Sequence, residues 1–235
     1  MPRPENVSEL RSRDTTVVTG SFRLIVFDLD GTLIDSRKDI ADAANLLLRD
    51  CGAEPLAEDR IGRMVGAGAA TLVARAFAAS GIERPPDALE RFLAIYGRGL
   101  LNHTRAYHGI PDVLEALASR APLAVLTNKP LASTRRILAG LDLARFFDED
   151  AIVGGDGPFP RKPDPTGLHH LVSRAGTAQG DTLLVGDSII DWQTARRASS
   201  SICVARYGFG FEGFPLEELR PGDYVIDEPA QLIEL

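Results

Sequence analysis

The segment RLIVFDLDGTLIDS, Arg23 to Ser36, carries an apolar run into two aspartates, Asp28 and Asp30, with Gly31 and Thr32 directly after. A short apolar run bounded by turn residues reads as a buried strand, which sets both carboxylates at its carboxyl end. Two carboxylates about 4 Å apart repel by about 4 kcal/mol at an effective dielectric near 20. A chain that keeps them together therefore needs a compensating cation. Gly31 permits a sharp turn there, leaving backbone amides free to face a ligand.

Five more runs of this kind follow: PLAVLT (122–127), AIVGG (151–155), LLVGD (183–187), SICVA (201–205) and YVI (224–226). Helical patterns separate several of them, and PDVLEALASR and PLASTRRILAG each open on a proline, a favourable helix start. Alternation of this type predicts an α/β fold: a doubly wound parallel sheet, a Rossmann-like core with helices on both faces, over residues 21–35 and 108–235. Between Ser36 and about Tyr107 no strand is expected. SRKDIADAANLLLRDCG begins with Ser36 and Asp39 at capping-box spacing and has apolar residues at 40, 43, 44, 47 and 51. GAATLVARAFAASG and PDALERFLAIYGRGLL continue in the same style, so residues 36–107 are predicted to form an inserted helical cap domain. Ligands bind at the carboxyl edge of open α/β sheets, where such an insert can act as a lid.

Composition narrows the partners. The 235 residues are 44% hydrophobic and 25% charged, an ordinary globular balance. A net charge of -7, a pI near 5.2 and the lack of a Lys/Arg block argue against nucleic acid as a partner. Cys51 and Cys203 provide neither a disulfide framework nor zinc spacing. No stretch approaches the roughly 18 apolar residues of a membrane helix, and the first twenty residues have no apolar signal core. The expectation is a cytoplasmic protein without membrane partners, a monomer or homodimer, in which residues 1–20 are a mobile leader of mixed charge, proline and serine.

Polar groups cluster at or just after the ends of the predicted strands: Asp28 and Asp30, Thr127 and Asn128, Lys162 in RKPDP, and Asp187 and Asp191 in GDSIID. Strand ends on one edge of a parallel sheet converge, so these groups are expected to share a pocket. Hard oxygen donors without histidine or thiol suit Mg²⁺, which favours one or two carboxylates plus a substrate phosphate. In such a pocket Asp28 can attack phosphorus while Asp30 protonates the departing alkoxide and then deprotonates water. Thr127 and Asn128 would donate to the phosphoryl oxygens, and Lys162 would supply fixed positive charge. The bland readings are a solvated turn at Asp28 and Asp30 and a first-turn helix acid at Asp191. His103, His108, His169 and His170 show no ligand spacing with the carboxylates.

The ordered set DLDGT, TN, KPDP and GDSIID resembles the haloacid dehalogenase superfamily of phosphatases and phosphotransferases, from about Arg23 to Ala205. Longer phrases, FDLDGTLIDS, IGRMVGAGAATLV, LTNKP and VGGDGPFPRKPDP leading to LLVGDSIID, are similar to its phosphoglycolate phosphatase branch. The resemblance implies Asp28 as nucleophile and Asp30 as acid and base. It implies Mg²⁺ held by the Asp28 side chain, the Asp30 backbone carbonyl and Asp187, with Asp191 contributing through water or a neighbouring group. The implied substrate is a small phosphorylated metabolite, 2-phosphoglycolate foremost, with a sugar-phosphate phosphatase or phosphomutase of the same superfamily as the alternative. In the insert, Gly66 and Gly68 are candidates for close backbone approach to the substrate and Arg63 for its carboxylate. Carbon–halogen displacement would leave Asp30 without a task, and a non-catalytic phosphate-binding protein has no need of a nucleophile and an acid together. The sequence departs from the family pattern at His108, Ile190 and Ser199, none of which has an assigned catalytic role.

Overall fold

The structure, a computed structural model, describes residues 22–235, and the leader expected over residues 1–20 lies outside the described residues. In chain order the regular elements are β1 (Leu24–Phe27), β2 (Ile34–Asp35), α1 (Arg37–Asp50), α2 (Glu58–Gly62), α3 (Ala69–Ser80), α4 (Ala88–Arg98), β3 (Arg105–Ala106) and α5 (Ile110–Ala118). They continue with β4 (Leu123–Leu126), α6 (Leu131–Gly140), β5 (Ile152–Val153), α7 (Thr166–Arg174), β6 (Thr182–Gly186), α8 (Ile189–Ala198), β7 (Ser201–Ala205) and β8 (Tyr224–Ile226). Six strands form one sheet in the order β5-β4-β1-β6-β7-β8. Every pairing in it is parallel.

Strand alternation explains how one sheet carries helices on both sides. Ile25, Phe27, Leu123, Val125, Leu183 and Val185 face the layer containing α5 and α6. Their neighbours Leu24, Val26, Ala124, Leu126, Leu184 and Ile202 face α7 and α8. Both sets are buried, as the near-continuous apolar runs of a doubly covered parallel sheet require. The chain moves from β1 outward through β4 and β5, then returns to the other side of β1 for β6, β7 and β8. Strand order thus reverses beside β1, the place where open α/β sheets bind ligands.

Helices α1 to α4 fill the segment between β2 and β3, and their buried side chains, among them Leu47, Phe77 and Phe92, continue one of the sheet's two cores. Two local expectations fail here. Arg105–Ala106 is a strand, pairing antiparallel with Ile34–Asp35, so a two-stranded ribbon ties both ends of the helical segment together. The Ser36/Asp39 capping box does not form. Ser36 Oγ donates to Asp30 Oδ1 (2.5 Å), and Asp39 accepts from the His103 and Thr104 amides and the Thr104 hydroxyl at 2.7–3.0 Å. Tertiary donors are available to both side chains, and a buried carboxylate gains more from three of them than from one cap. Among the described residues no helix is long and apolar enough to cross a membrane.

Candidate active site

Beyond β1 the chain turns back on itself: the amides of Thr32, Leu33 and Ile34 all donate to Leu29 O at 3.0–3.3 Å. Gly31 sits at φ +88° in this turn, and a side chain there would collide with the Asp187 carboxylate. Asp28, at the mouth of β1, is buried beside Asp187 and Asp191, and the three offer carboxylate oxygens within 4.8 Å of one another. Lys162 Nζ reaches between two of them, 2.8 Å from Asp28 Oδ1 and 2.6 Å from Asp191 Oδ1. Its hydrogen bond is directed at Asp191, whereas its approach to Asp28 Oδ1 is an ion pair that leaves this oxygen without a well-aligned hydrogen bond.

Asp191 is committed on both oxygens. Oδ2 accepts from the Ser188 amide and hydroxyl, forming a capping box at the start of α8, while Oδ1 holds Lys162. The first-turn helix acid and the site residue are therefore one and the same group. Asp187 accepts from the Gly210 amide (2.7 Å). Gly208 and Gly210 lie so close to Asp187 that a side chain at either would strike it, so the loop after β7 packs its bare backbone on this carboxylate.

Crowding shows in the proton affinities. Burial, offset in part by Lys162 and reinforced by Asp191, pushes the Asp28 carboxyl up to about 6. Burial, with Asp191 and Asp28 adding repulsion, raises Asp187 well above the usual carboxylate range. These are oxygens that favour a proton or another cation. Around the site, Asp28, Asp30, Asp187 and Asp191 face Lys129 and Lys162, which leaves a formal surplus of two negative charges. One divalent ion cancels that surplus. The donor set, all hard oxygen, suits such an ion, so the residues present fit a metal.

Asp30 points elsewhere. Its oxygens lie 2.8 and 2.9 Å from Lys129 Nζ, and Oδ1 also takes the Ser36 hydroxyl. Lys129 was not assigned from sequence, although it stands in the quoted phrase LTNKP. It is a buried lysine whose ammonium also lies 4.7 Å from the Tyr96 ring centroid on α4. Thr127 accepts the Lys129 amide on Oγ1, which leaves its own hydrogen to donate. Asn128 Nδ2 donates to Gly66 O (2.8 Å) and to Lys162 O (2.9 Å), so this amide joins the helical segment to the loop that carries the lysine.

A cavity of about 50 Å³ opens over these groups, lined on one side by Asp28, Asp30, Thr127, Asn128 and Lys129. Gly66, Gly68, Leu72, Phe92 and Tyr96 line the other side. Gly66 and Gly68 adopt positive φ (+108° and +88°), which favours glycine and brings the loop backbone close. Arg63 is not part of this group. Its guanidinium is 3.5 Å from Glu212, with more than half of the side chain exposed, at 53%.

The family model for haloacid dehalogenase-like hydrolases matches residues 25–205. The chain belongs to the haloacid dehalogenase-like hydrolase family. It is 42% identical to a phosphoglycolate phosphatase of Rhodospirillum rubrum over 199 residues, covering 81% of this chain and 82% of that one. It is 38% identical over 204 residues to a phosphoglycolate phosphatase of Nitrosospira multiformis, covering 84% and 88%. The crystal structure of a predicted phosphoglycolate phosphatase from Haemophilus somnus 129PT superposes with a TM-score of 0.83 at 30% identity, covering 92% of this chain and 98% of that one. As in the sequence reading of this haloacid dehalogenase-like hydrolase, the sheet is parallel and helices cover both faces.

Proposed function

We propose that the chain is a Mg²⁺-dependent phosphatase that hydrolyses 2-phosphoglycolate through an aspartyl-phosphate on Asp28. The observation that carries this reading is the gathering of a buried carboxylate, Asp28, which lines one small cavity, with a lysine 2.8 Å from it and two further carboxylates. In the first step an oxygen of Asp28 attacks phosphorus, the bond from phosphorus to the ester oxygen breaks, and Asp30 gives its proton to the departing alkoxide. In the second, Asp30 takes a proton from water, which attacks the same phosphorus and returns Asp28 as a carboxylate. Thr127 donates to a phosphoryl oxygen, and Lys162, fixed by Asp191, holds positive charge against the phosphoryl group. Asp28, the Asp30 carbonyl and Asp187 would hold the divalent ion, which when bound would supply neutralisation of the phosphoryl charge.

In this proposal residues 36–107 serve as the cap, with Asn128 and Gly66 joining it to the core across the cavity. Size favours a small ester. One water needs about 10–15 Å³ of such space, so a cavity of about 50 Å³ suits a two-carbon acid better than a hexose. The names of the similar proteins point the same way. The setting is the cytoplasm, with the protein acting as a monomer or homodimer. A panel of phosphate esters assayed with Mg²⁺ and with EDTA tests the reading. The expected result is Mg²⁺-dependent phosphate release with kcat/KM for phosphoglycolate at least about 100-fold above that for sugar phosphates. Transfer of the phosphoryl group to a sugar instead of water, or equal rates across the panel, would overturn it.

A further inference from the structure

Resting on that reading, we infer that Lys129 and the Tyr96 hydroxyl bind the carboxylate of the substrate and so set its specificity. The division of the cavity leads there. Its phosphate half contains Asp28, Thr127 and Asn128, while its other half is walled by Leu72, Phe92 and Leu93 from α3 and α4. Among the described residues that line it, Lys129 is the one with a cationic side chain.

Two features make Lys129 more than a counter-ion for Asp30. An ammonium has three donors, of which the carboxylate of Asp30 engages the directions toward its two oxygens. Ser36 bonds Asp30 as well, so that carboxylate is held without drawing on a third lysine hydrogen. Secondly, Tyr96 is 4% exposed and lines the cavity, and its hydroxyl makes no well-aligned hydrogen bond. Lys129 Nζ lies 4.7 Å from the Tyr96 ring centroid and interacts with the phenol as a donor, which leaves the hydroxyl hydrogen without an acceptor. A buried phenol hydrogen without an acceptor is costly, and a ligand that accepts it removes the penalty. An ammonium beside such a hydroxyl is a receptor for a carboxylate.

Spacing agrees. Thr127 and Lys129 are two positions apart on the loop leaving β4, and both line the cavity. In phosphoglycolate only an oxygen and a methylene separate phosphorus from the carboxylate carbon, so a short two-ended anion can span the pair. Arg63, the cation expected from sequence, lies at the surface with Glu212.

The test compares phosphoglycolate with ethyl phosphate, which matches its carbon count and lacks its carboxylate. In wild type the first should be strongly preferred; equal kcat/KM for both would defeat the proposed function itself, before any variant is made. In Lys129→Met the ratio of the two kcat/KM values should fall by about 100-fold, the worth of a lost charge-assisted contact. A lysine that serves only Asp30 would slow both substrates alike and leave the ratio unchanged, which would overturn the inference. Tyr96→Phe keeps ring and packing, so it should fold, and should lower the ratio by about tenfold, mainly through KM. Calorimetric binding of 3-phosphonopropionate against propylphosphonate to the Mg²⁺-loaded protein reads the same preference without turnover. Retention of that preference in both variants would also overturn the inference.

Discussion

Asp28 sits where burial and two neighbouring carboxylates raise its proton affinity and only Lys162 lowers it. Asp28→Asn keeps the shape, removes the proposed nucleophile and relieves repulsion with Asp187 and Asp191. Phosphate release should fall by at least about 10⁴-fold, while the melting temperature of the metal-free protein stays level or rises. Activity within tenfold of wild type would end the assignment of the nucleophile. Gly31 is a second single-residue constraint. Its φ of +88° costs an L-residue about 1–2 kcal/mol, and a Cβ there enters the Asp187 carboxylate. Gly31→Ala should therefore lower the melting temperature by at least about 3 °C for a chain of this size, and turnover with it. An unchanged melting curve would show that the turn relaxes freely. Residues like these are legible because the reason for them is local: an acid at a strand end, a glycine in the next turn. Lys129 was not legible as a ligand-binding group, since the phrase LTNKP does not say that its side chain runs back toward Asp30 and Tyr96.

Among the elements, the six sheet strands were readable because each is a short apolar run between turn residues, buried in all but β8, where Val225 is exposed, and α1, α3, α4, α5 and α6 because their apolar spacing is regular. The ribbon of β2 and β3 was not. Two residues per strand carry no period, and Arg105–Ala106 is polar and exposed enough to read as loop. The failed capping box has the same origin. Ser36 and Asp39 have the right local spacing, but their partners lie at residue 30 and at residues 103 and 104, which no short window contains. Asp39 therefore joins the start of α1 to the chain returning from the helical segment, and it does so as a buried carboxylate with three donors. Asp39→Ala strands those donors and should cost about 3 kcal/mol, seen as a lower urea midpoint with an unchanged slope. A loss under about 0.5 kcal/mol, the size of an ordinary surface change, would show that water replaces the carboxylate. Because the residue touches neither Asp28 nor the cavity floor, loss of stability should exceed any loss of kcat in the folded fraction.

For the molecule as a whole, the fold concentrates acid at one edge of a sheet, and that sets its response to protons and metal. Asp28, raised to about 6, and Asp187, raised well above the usual carboxylate range by burial and by Asp191 and Asp28, both gain affinity for a proton in the metal-free native state. A carboxyl with a raised native value contributes stability that is complete below its unfolded value of 3.8 and is lost as pH rises through about 6. The metal-free protein therefore loses this contribution between about pH 4 and pH 7. A divalent ion held by Asp28 and Asp187, as proposed, would act in the opposite direction, since it would need both groups ionised and would take the place of the proton. Below pH 6 its apparent affinity should weaken by about tenfold per pH unit for each proton displaced. Thermal unfolding with Mg²⁺ and with EDTA, at pH 5, 6, 7 and 7.5, should thus show a melting-temperature difference that is small at pH 5 and grows toward pH 7.5. In Asp28→Asn the difference should be smaller at every pH and its rise flatter. A difference that stayed constant from pH 5 to 7.5 would mean that the ion binds at groups already ionised, away from the cluster of Asp28, Asp187 and Asp191.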